Sequence, residues 1–418
     1  MMLLTETVAS FVHTRWHSRR GLDRARFEAW QHRALHKWLT HDLRQVAFYK
    51  DAAARLHDLP VIDKATLMGR FADFNTHQIS AAQVRTALEA DSRISDVTVG
   101  ASTGTSGHRG LFVISERERY RWLGNILAKA LPDMIWQKQR VSILLPQGGA
   151  LYDSARKTGR IDLGFFSLID GPEQWQSAIE TFDPTVIVAP PKILRHMAET
   201  GFALAPKRIF AAAETLDPID RPIIEAYFQQ TLEQIYMATE GLLGVTCRLG
   251  RLHLAEDAIH FEYEAVGDGL VSPLITSFRR STQILARYRM NDLLRLSAQP
   301  CTCGSPLRAV DEVVGRMDDC FEFDAAGGAV LITPDVLRNA VLGASIDITD
   351  FRLCQIARGK VLLRLPLTVT KGNARGAQQA VDRLLRARGV DAHVDLEQLS
   401  LPLETTRKLR RVIGMPKA

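Results

Sequence analysis

The strongest constraint on the fold is an alternation, between residues 95 and 300, of short apolar runs with stretches of helical periodicity. The apolar runs are strand-like and end in small or polar residues: RVSILLP, IDLGFFSLI, PTVIVAPP, KRIFAAAE and LEQIYMATEG. The segments between them are helix-like, as in EQWQSAIETF, KILRHMAET and RPIIEAYFQQ. Buried strands that alternate with helices are typical of an α/β domain with a largely parallel sheet. Ligands of such domains bind beside the carboxyl ends of the strands, where the small residues lie in this sequence.

The segments before and after this alternation have other sequence patterns. Residues 1–58 carry apolar residues at three-to-four spacing, which predicts a helical N-terminal segment. After VVGRMDD (313–319), the sequence predicts a two-strand hairpin, an amphipathic helix and a further strand. A chain of 418 residues is too long for one small core. We therefore expect a large N-terminal domain over 1–316 and a small, mobile α+β domain over 317–418.

Composition narrows the class of protein. Hydrophobic residues make up 46% and charged residues 24% of the chain, as in ordinary globular proteins. No apolar run is long enough to cross a bilayer, which predicts no membrane partner. The first twenty residues include an acid and several polar residues and have no basic region before the apolar part. This pattern argues against a signal peptide and predicts a cytoplasmic protein.

The net charge of +6 leaves two interpretations open. Basic residues concentrate in 13–45 and 375–411, which suits either a nucleic-acid-binding protein or an enzyme that handles polyanionic nucleotides. No motif of interleaved aromatic and basic residues accompanies them, so the sequence favours a protein with no nucleic-acid partner.

The segment VTVGASTGTSGHRGLFVIS (97–115) places small hydroxyl residues and glycines between two β-prone runs. Glycine lets the backbone approach a ligand closely, and consecutive N–H groups with hydroxyls can hold an anion. The segment lacks the Gly-Lys-[Ser/Thr] of the common phosphate loop and the dinucleotide fingerprint. A plain turn between strands is the alternative. The candidate phosphate-binding residues are Ser102, Thr103, Gly104, Thr105, Ser106, Gly107 and Arg109.

Cysteine spacing indicates a metal site. Cys247 and His253 are followed by Cys301-x-Cys303, which gives four nitrogen and sulfur ligands from two segments. Structural zinc takes such a set in tetrahedral geometry, and four protein ligands leave no position for catalysis. Buried thiols without a metal are the alternative.

Taken together, the glycine-rich loop, KRIFAAAETL, IYMATEG, RYRMNDLL, GRMDD and TRKLRRVI follow one another in a recognisable order. This series resembles that of the adenylate-forming acyl-ligase superfamily, which contains acyl-coenzyme A synthetases and adenylation domains. LPVIDKATL (59–67) and CTCGSPLRAVDEVVGRMDD (301–319) are similar to segments of its phenylacetate–coenzyme A ligase-like branch. The resemblance covers the chain from about residue 59 to its end and implies the two-domain fold predicted above.

The resemblance also implies an activity. Such enzymes join a carboxylic acid to the α-phosphate of ATP, release pyrophosphate, and then transfer the acyl group, most commonly to coenzyme A. It implies ATP and Mg²⁺ as cofactors, an aromatic or planar acid as substrate, and Zn²⁺ at the cysteine positions in some members. Transfer to an amine or a carrier-protein thiol stays open, and so does a homodimer.

Roles in the superfamily carry over to matching positions. The loop residues would hold the β- and γ-phosphates, Glu240 the magnesium ion, and Asp292 the ribose, while Lys408 would contact the carboxylate and the α-phosphate. Ala213 and Glu214 would line the adenine and acyl pockets. The remaining nucleotide-site candidates are Tyr236, which would stack on adenine, Met237, Thr239 and Arg316.

Four motifs depart from the superfamily pattern. Lys-Pro becomes His108-Arg109, and Met237, Met290-Asn291 and Arg407 replace a Gly, Thr-Gly and a Gly. Two alternatives therefore stay open. One is a relative that binds a nucleotide without catalysis, and the other is a zinc-stabilised nucleic-acid-binding protein.

Overall fold

The computed structural model describes residues 2–53, 55–102, 110–146, 160–325 and 327–415. The α-helices in these ranges are α1 (Met2–His17), α2 (Arg24–His41), α3 (Lys64–Gly69), α4 (Ala81–Leu88), α5 (Glu116–Ala130), α6 (Pro172–Phe182), α7 (Pro191–Thr200), α8 (Asp220–Phe228), α9 (Pro334–Leu342) and α10 (Lys371–Ala387). The strands are β1 (Arg93–Ile94), β2 (Val97–Ala101), β3 (Leu111–Ser115), β4 (Gln139–Leu145), β5 (Ile161–Ser167), β6 (Val186–Ala189), β7 (Arg208–Ala212), β8 (Leu232–Ala238), β9 (Gly241–Thr246), β10 (Leu252–Leu254), β11 (His260–Gly267), β12 (Leu270–Thr276), β13 (Tyr288–Arg289), β14 (Asp292–Leu296), β15 (Ala309–Arg316), β16 (Phe321–Ala325), β17 (Gly328–Ile332), β18 (Arg352–Ala357), β19 (Lys360–Pro366), β20 (His393–Leu399) and β21 (Val412–Ile413).

The chain divides into two compact units. The first unit comprises residues 1–290 and 295–312, and the second comprises 291–294 and 313–418. The chain passes from one unit to the other within β14 and within β15. None of the described helices is both long and apolar enough to cross a bilayer.

The core of the first unit is a parallel sheet in the order β5-β4-β6-β7-β8. Strand β6 is apolar along its length, and β7 is apolar after Arg208, because helices of the α/β fold cover both faces of central strands. The predicted alternation of strands and helices is confirmed. The expectation that β5 is a buried strand is wrong, since only Ile161 in it is buried. Strand β5 pairs with β4 alone in the described sheet, so its faces are less covered.

Strand β9 turns back antiparallel to β8, and β10 pairs with both β9 and the start of β15. Gly244 of β9 allows a close approach, because a Cβ there would lie 2.7 Å from the carbonyl oxygen of His253. Since His253 pairs with Val245 on one side and Ala309 on the other, the ladder brings it beside the chain that carries residues 301–303.

The second unit contains the predicted hairpin as β18 and β19. These strands are antiparallel, and their pairs run from Arg352 with Arg364 to Ala357 with Lys360. Strands β20 and β21 add to this hairpin in parallel on its two sides, giving the order β20-β19-β18-β21. Helices α9 and α10 contribute apolar residues to a core with the strands, including Leu337, Val381 and Leu385. This unit thus has a hydrophobic core of its own.

Candidate active site and metal centre

The carboxyl ends of β7 and β8 lie side by side, because Ala212 pairs with Ile235 in the parallel ladder. The chain that leaves β7 therefore carries Ala213 and Glu214 beside the end of β8. Ala213 has φ of +66°, in the left-handed region that L-residues avoid. Such backbone costs on the order of 1–3 kcal/mol and is found most often at ligand sites. The residues Ala213 and Glu214 thus lie at a strained turn at the carboxyl edge of the parallel sheet.

A buried ion pair anchors this turn. The Lys192 Nζ lies 2.9 Å from the Glu214 Oε1, and both side chains are only 5% exposed. Lys192 is in the first turn of α7, directly after β6, which is the parallel neighbour of β7. Sequence analysis missed Lys192 because it falls inside a helical pattern. The sequence did contain a signal for it, because Lys192 is a charged residue that comes soon after the apolar run of β6.

The base of the glycine-rich loop is described and lies against the end of β8. The Ser102 hydroxyl accepts from the Gly110 N–H at 2.9 Å, and the Ser102 N–H donates to the Gly110 carbonyl at 2.7 Å. A Cβ on Gly110 would lie 3.2 Å from the Thr239 hydroxyl, which donates to Glu240 Oε2 at 2.9 Å. The structure therefore brings Ser102, Thr239 and Glu240 together at one place.

The other loop candidates lie outside the described residues: Thr103, Gly104, Thr105, Ser106, Gly107 and Arg109. Their phosphate contacts stay a prediction. The loop begins and ends where Ser102 and Gly110 are hydrogen-bonded to each other, beside Thr239.

Tyr236 and Met237 are half-buried near the end of β8. The β8–β9 register shifts between them, since Tyr236 pairs with Gly244 and Met237 with Leu242. A bulge of this kind re-aims side chains and is common next to functional sites. Glu240 follows in the turn that leads to β9, where Gly241 has φ of +143°.

The candidate ribose residues are in the second unit. The Arg316 Nε is 3.9 Å from Asp292 Oδ1, and Asn291 donates to Asp318 Oδ2 at 2.5 Å. Asn291, which stands where the resembled superfamily has a glycine, thus hydrogen-bonds to an acid of the GRMDD motif. The structure brings Asp292 and Arg316 together, with Arg316 about half exposed.

Lys408 lies in an irregular segment between β20 and β21 and is half-buried. The residues that follow it are anchored by ion pairs, because Arg410 binds Asp319 and Arg411 binds Asp350 at 2.8 Å. Burial raises the pKa of Asp319 above its ordinary value, against the opposing effect of Arg410. Lys408 therefore belongs to a segment tied to the second unit, whereas Glu240 belongs to the first.

The four predicted metal ligands form one cluster inside the first unit. The ligand atoms of Cys247, His253, Cys301 and Cys303 all lie within 4.8 Å of one another. The Cys247 and Cys301 sulfurs are 3.9 Å apart, and the Cys303 sulfur is 3.5 Å from His253 Nε2. A tetrahedron with ordinary zinc–sulfur and zinc–nitrogen bonds has edges of roughly 3.5–3.8 Å. The cluster therefore fits a zinc ion in both ligand set and spacing.

Hydrogen bonds around the cluster orient its ligands. His253 Nδ1 lies 2.8 Å from the Leu307 carbonyl, so donation there leaves Nε2 as the metal-binding nitrogen. The Cys303 sulfur accepts from the Ser305 N–H at 3.4 Å. Burial raises the pKa of the Cys303 thiol to about 12 and lowers the pKa of His253. The thiol would thus hold its proton until a cation displaces it.

Comparison with known proteins identifies the fold. No protein-family model and no curated protein matches the sequence. Solved structures match over nearly the whole chain. The crystal structure of 2-hydroxyisobutyryl-CoA ligase in the postadenylation state with 2-HIB-AMP has a TM-score of 0.71 and 18% identity, over 95% of this chain and 91% of that one.

The chain has the fold of the adenylate-forming acyl ligases. An open conformation of the same ligase, in complex with 2-HIB-AMP and CoA, has a TM-score of 0.62 at 17% identity, over 96% of this chain and 93% of that one. Fatty acyl-adenylate ligases from E. coli and L. pneumophila have a TM-score of 0.50 at 15% identity, over 75% of this chain and 67% of that one. The predicted fold class is thus confirmed, and the first two matches extend over both units.

Proposed function

We propose that this protein is an ATP-dependent carboxylate ligase that makes an acyl-adenylate and then an acyl-coenzyme A thioester. The observation that carries the proposal is the meeting of Ser102, Thr239 and Glu240 at the sheet edge that also bears Glu214. Three separate stretches of the chain supply these residues, and each stretch holds a motif of the superfamily. The ligase that shares the fold is known with an acyl-adenylate and with CoA.

In the first half-reaction, a carboxylate oxygen of the acid attacks the α-phosphorus of ATP, and the bond to pyrophosphate breaks. An ionised carboxylate needs no general base. Glu240 would hold a magnesium ion, since a hard cation prefers carboxylate oxygen. When bound, that ion neutralises charge on the phosphate oxygens. Lys408 would place an ammonium near the reacting oxygens, where negative charge grows in the transition state.

In the second half-reaction, the coenzyme A thiol attacks the acyl carbonyl carbon and AMP leaves, with the thiol proton released to solvent. Asp292 would retain the nucleotide by accepting hydrogen bonds from the ribose hydroxyls. Arg316, beside Asp292, would contact the ribose or a phosphate. Both residues belong to the second unit, as does Lys408. The second unit would therefore hold the adenylate and neutralise part of its negative charge.

The proposed acid is aromatic or planar, because the Cys-x-Cys-Gly and Leu-Pro-x-x-x-Lys segments are similar to those of the phenylacetate–coenzyme A ligase-like branch. The small side chain of Ala213 would leave room for a flat group beside the end of β7. The cysteine cluster would hold one structural zinc ion that ties the β9–β10 turn to the 301–303 segment. Its four protein ligands give it no role in the acyl transfer.

A panel of acids tests this function. Phenylacetate, benzoate, 2-hydroxyisobutyrate and octanoate are each incubated with ATP and Mg²⁺, and acid-dependent pyrophosphate release is measured with and without coenzyme A. We expect release with the aromatic acids, and a thioester by mass spectrometry when coenzyme A is present. E240Q should lose the activity, while E173Q, at an exposed position in α6, should keep it.

Other results would change the proposal. If an acyl product forms only when an amine or a carrier protein is added, that compound and not coenzyme A is the acceptor. ATP binding without acid-dependent pyrophosphate release from any of the four acids would contradict the proposed enzyme. It would favour a nucleotide-binding relative without catalysis.

A further inference from the structure

Helix α1 buries three hydroxyl residues against the protein and exposes four large apolar residues, while its Phe11 packs against the core. Thr7, Ser10 and Thr14 are almost fully buried. Leu4, Val8, Val12 and Trp16, which we call the α1 stripe, are 54–60% exposed. A surface helix of a globular protein normally has the opposite arrangement. The α1 stripe therefore calls for a partner surface.

Specific contacts fix this orientation of α1. The Thr7 hydroxyl donates to the Tyr120 carbonyl at 3.1 Å, and the Ser10 hydroxyl donates to the Arg121 carbonyl at 2.7 Å. A Cβ on Gly124 would lie 2.2 Å from the Thr7 carbonyl oxygen, so α1 and α5 are in close backbone contact. Rotating α1 to bury the stripe would bring larger side chains against Gly124 and break both hydrogen bonds.

Charge on α1 supports the same orientation. Glu6 forms ion pairs with Arg117 at 3.0 Å and with Arg121 at 2.8 Å, both on α5. The only ionisable residue among the exposed positions of the described helix is Arg15. The outer face of α1 is thus nearly uncharged along its length.

The α1 stripe is complementary to a second copy of itself. Its four residues recur every fourth position and span about 18 Å along the helix. In an antiparallel pair, Leu4 would face Trp16 of the other copy, and Val8 would face its Val12. A large residue would pack beside a smaller one at each end, with small residues at the centre. Such reciprocal pairing is what a two-fold interface requires.

We propose that α1 forms a homodimer interface in which the α1 stripes of two copies pack antiparallel. Arg15 would face Thr5 of the other copy, so no like charges would oppose each other. Arg19 stacks over Trp16 at 4.0 Å from the ring centroid and would shield the end of the interface from water. This proposal is independent of the proposed function.

A membrane is a poorer occupant for this face. Helices that lie on membranes carry a wide apolar face and several basic residues on a solvated polar face. In α1 the polar face is buried against α5, and the apolar face is one residue wide. A single helix pair buries less than the roughly 800 Å² per partner of a standard interface, so we expect a reversible dimer of micromolar affinity.

Sedimentation of the full chain across the micromolar range tests the dimer. We expect wild type to change reversibly from monomer to dimer with concentration. V8D and V12D should each weaken the dimer at least about 100-fold, because two-fold symmetry buries two carboxylates against apolar surface. L367D, at an equally exposed position of the second unit, is the control and should dimerise like wild type. A wild type that stays monomeric, or a V8D variant that dimerises normally, would overturn the proposal.

Cysteine cross-linking tests the orientation separately from stability. Under mild oxidation, a mixture of L4C and W16C proteins should form a covalent dimer, whereas L4C alone should not. The two Leu4 positions of an antiparallel pair are about 18 Å apart along the axis, well beyond disulfide reach. Linking of L4C alone would contradict the antiparallel arrangement.

If monomeric wild type binds anionic phospholipid vesicles and V8D does not, the partner of the α1 stripe is a membrane and not a second copy. Circular dichroism should report the same fold for every variant.

Discussion

The cysteine–histidine cluster and the candidate nucleotide site differ in how the chain assembles them. The cluster takes four ligands from residues 247–303, and all of them lie in the first unit. The residues proposed for the nucleotide span positions 102–408, and some belong to the first unit and others to the second. A cluster contained in one unit is complete once that unit has folded. The proposed nucleotide contacts would instead need residues from both units.

The two regions also differ in charge. Hydrogen bonds from His253 and to Cys303 orient the ligand atoms of the cluster, which lie within 4.8 Å of one another. The candidate nucleotide residues instead lie beside ion pairs, such as Lys192 with Glu214 and Arg410 with Asp319. A neutral set of thiols and imidazole would exchange protons for a metal ion, whereas the ion pairs carry fixed charge.

The largest expected effect comes from Lys408→Ala, which removes the ammonium group proposed to lie near the reacting oxygens. We expect the rate of acyl-adenylate formation to fall about 1,000-fold, or about 4 kcal/mol, because transition-state charge is no longer offset. Quenched-flow measurement of the adenylate should detect this, with R407A as the neighbouring-residue control. An unchanged rate would remove Lys408 from the proposed chemistry and would weaken the contrast between the cluster and the candidate nucleotide site.

Lys192→Met should destabilise the first unit by about 3 kcal/mol, because it removes the buried positive charge that faces the Glu214 carboxylate. The double variant K192M/E214M should recover stability in urea unfolding but not the KM for ATP. Recovery of both would mean that the pair only maintains the fold and has no part in nucleotide binding.

Cys303→Ser should remove one of four ligands. We expect the bound zinc, near one per chain in wild type, to be lost, with a loss of about 2 kcal/mol in stability. Adenylation by the protein that remains folded should be unchanged, since the cluster takes no part in the reaction. C354S, at a half-buried thiol outside the cluster, is the control for both metal content and unfolding. An equal zinc content in C303S and wild type would argue against metal binding at the cluster.

The smallest effect is expected from Ala213→Gly. Glycine adopts φ near +66° without penalty, so the variant should be more stable by about 1 kcal/mol. If the strained turn positions Glu214, the KM for ATP should rise at the same time. D268G relieves a φ of +50° elsewhere in the first unit and should gain stability without any change in KM. If A213G, like D268G, gains stability with no change in the KM for ATP, the strain at Ala213 has no part in nucleotide binding.

The sequence predicted the parts of the molecule that local patterns encode. The apolar runs that precede Ala213-Glu214 and Tyr236 predicted strands β7 and β8, whose carboxyl ends lie side by side. The spacing of His253 and Cys303 likewise marked a cluster that the sheet register brings together.

The missed features depend on which surface a residue meets in the folded chain. The partner of Lys192 is 22 positions further on and is reached only through neighbouring parallel strands. The sequence predicted a helical N-terminal segment but not which residues of α1 are buried. Strand β5 gave no sign that it pairs on one side only. These outcomes are decided by Gly124 and by strand order rather than by local propensity.

The most direct test of the account is the exchange of isotopically labelled pyrophosphate into ATP in the absence of coenzyme A. The account predicts that exchange by wild type requires a carboxylic acid and Mg²⁺, because the acyl-adenylate forms reversibly before any acceptor binds. Exchange that proceeds equally without acid, or only when coenzyme A is added, would contradict a separate adenylation step.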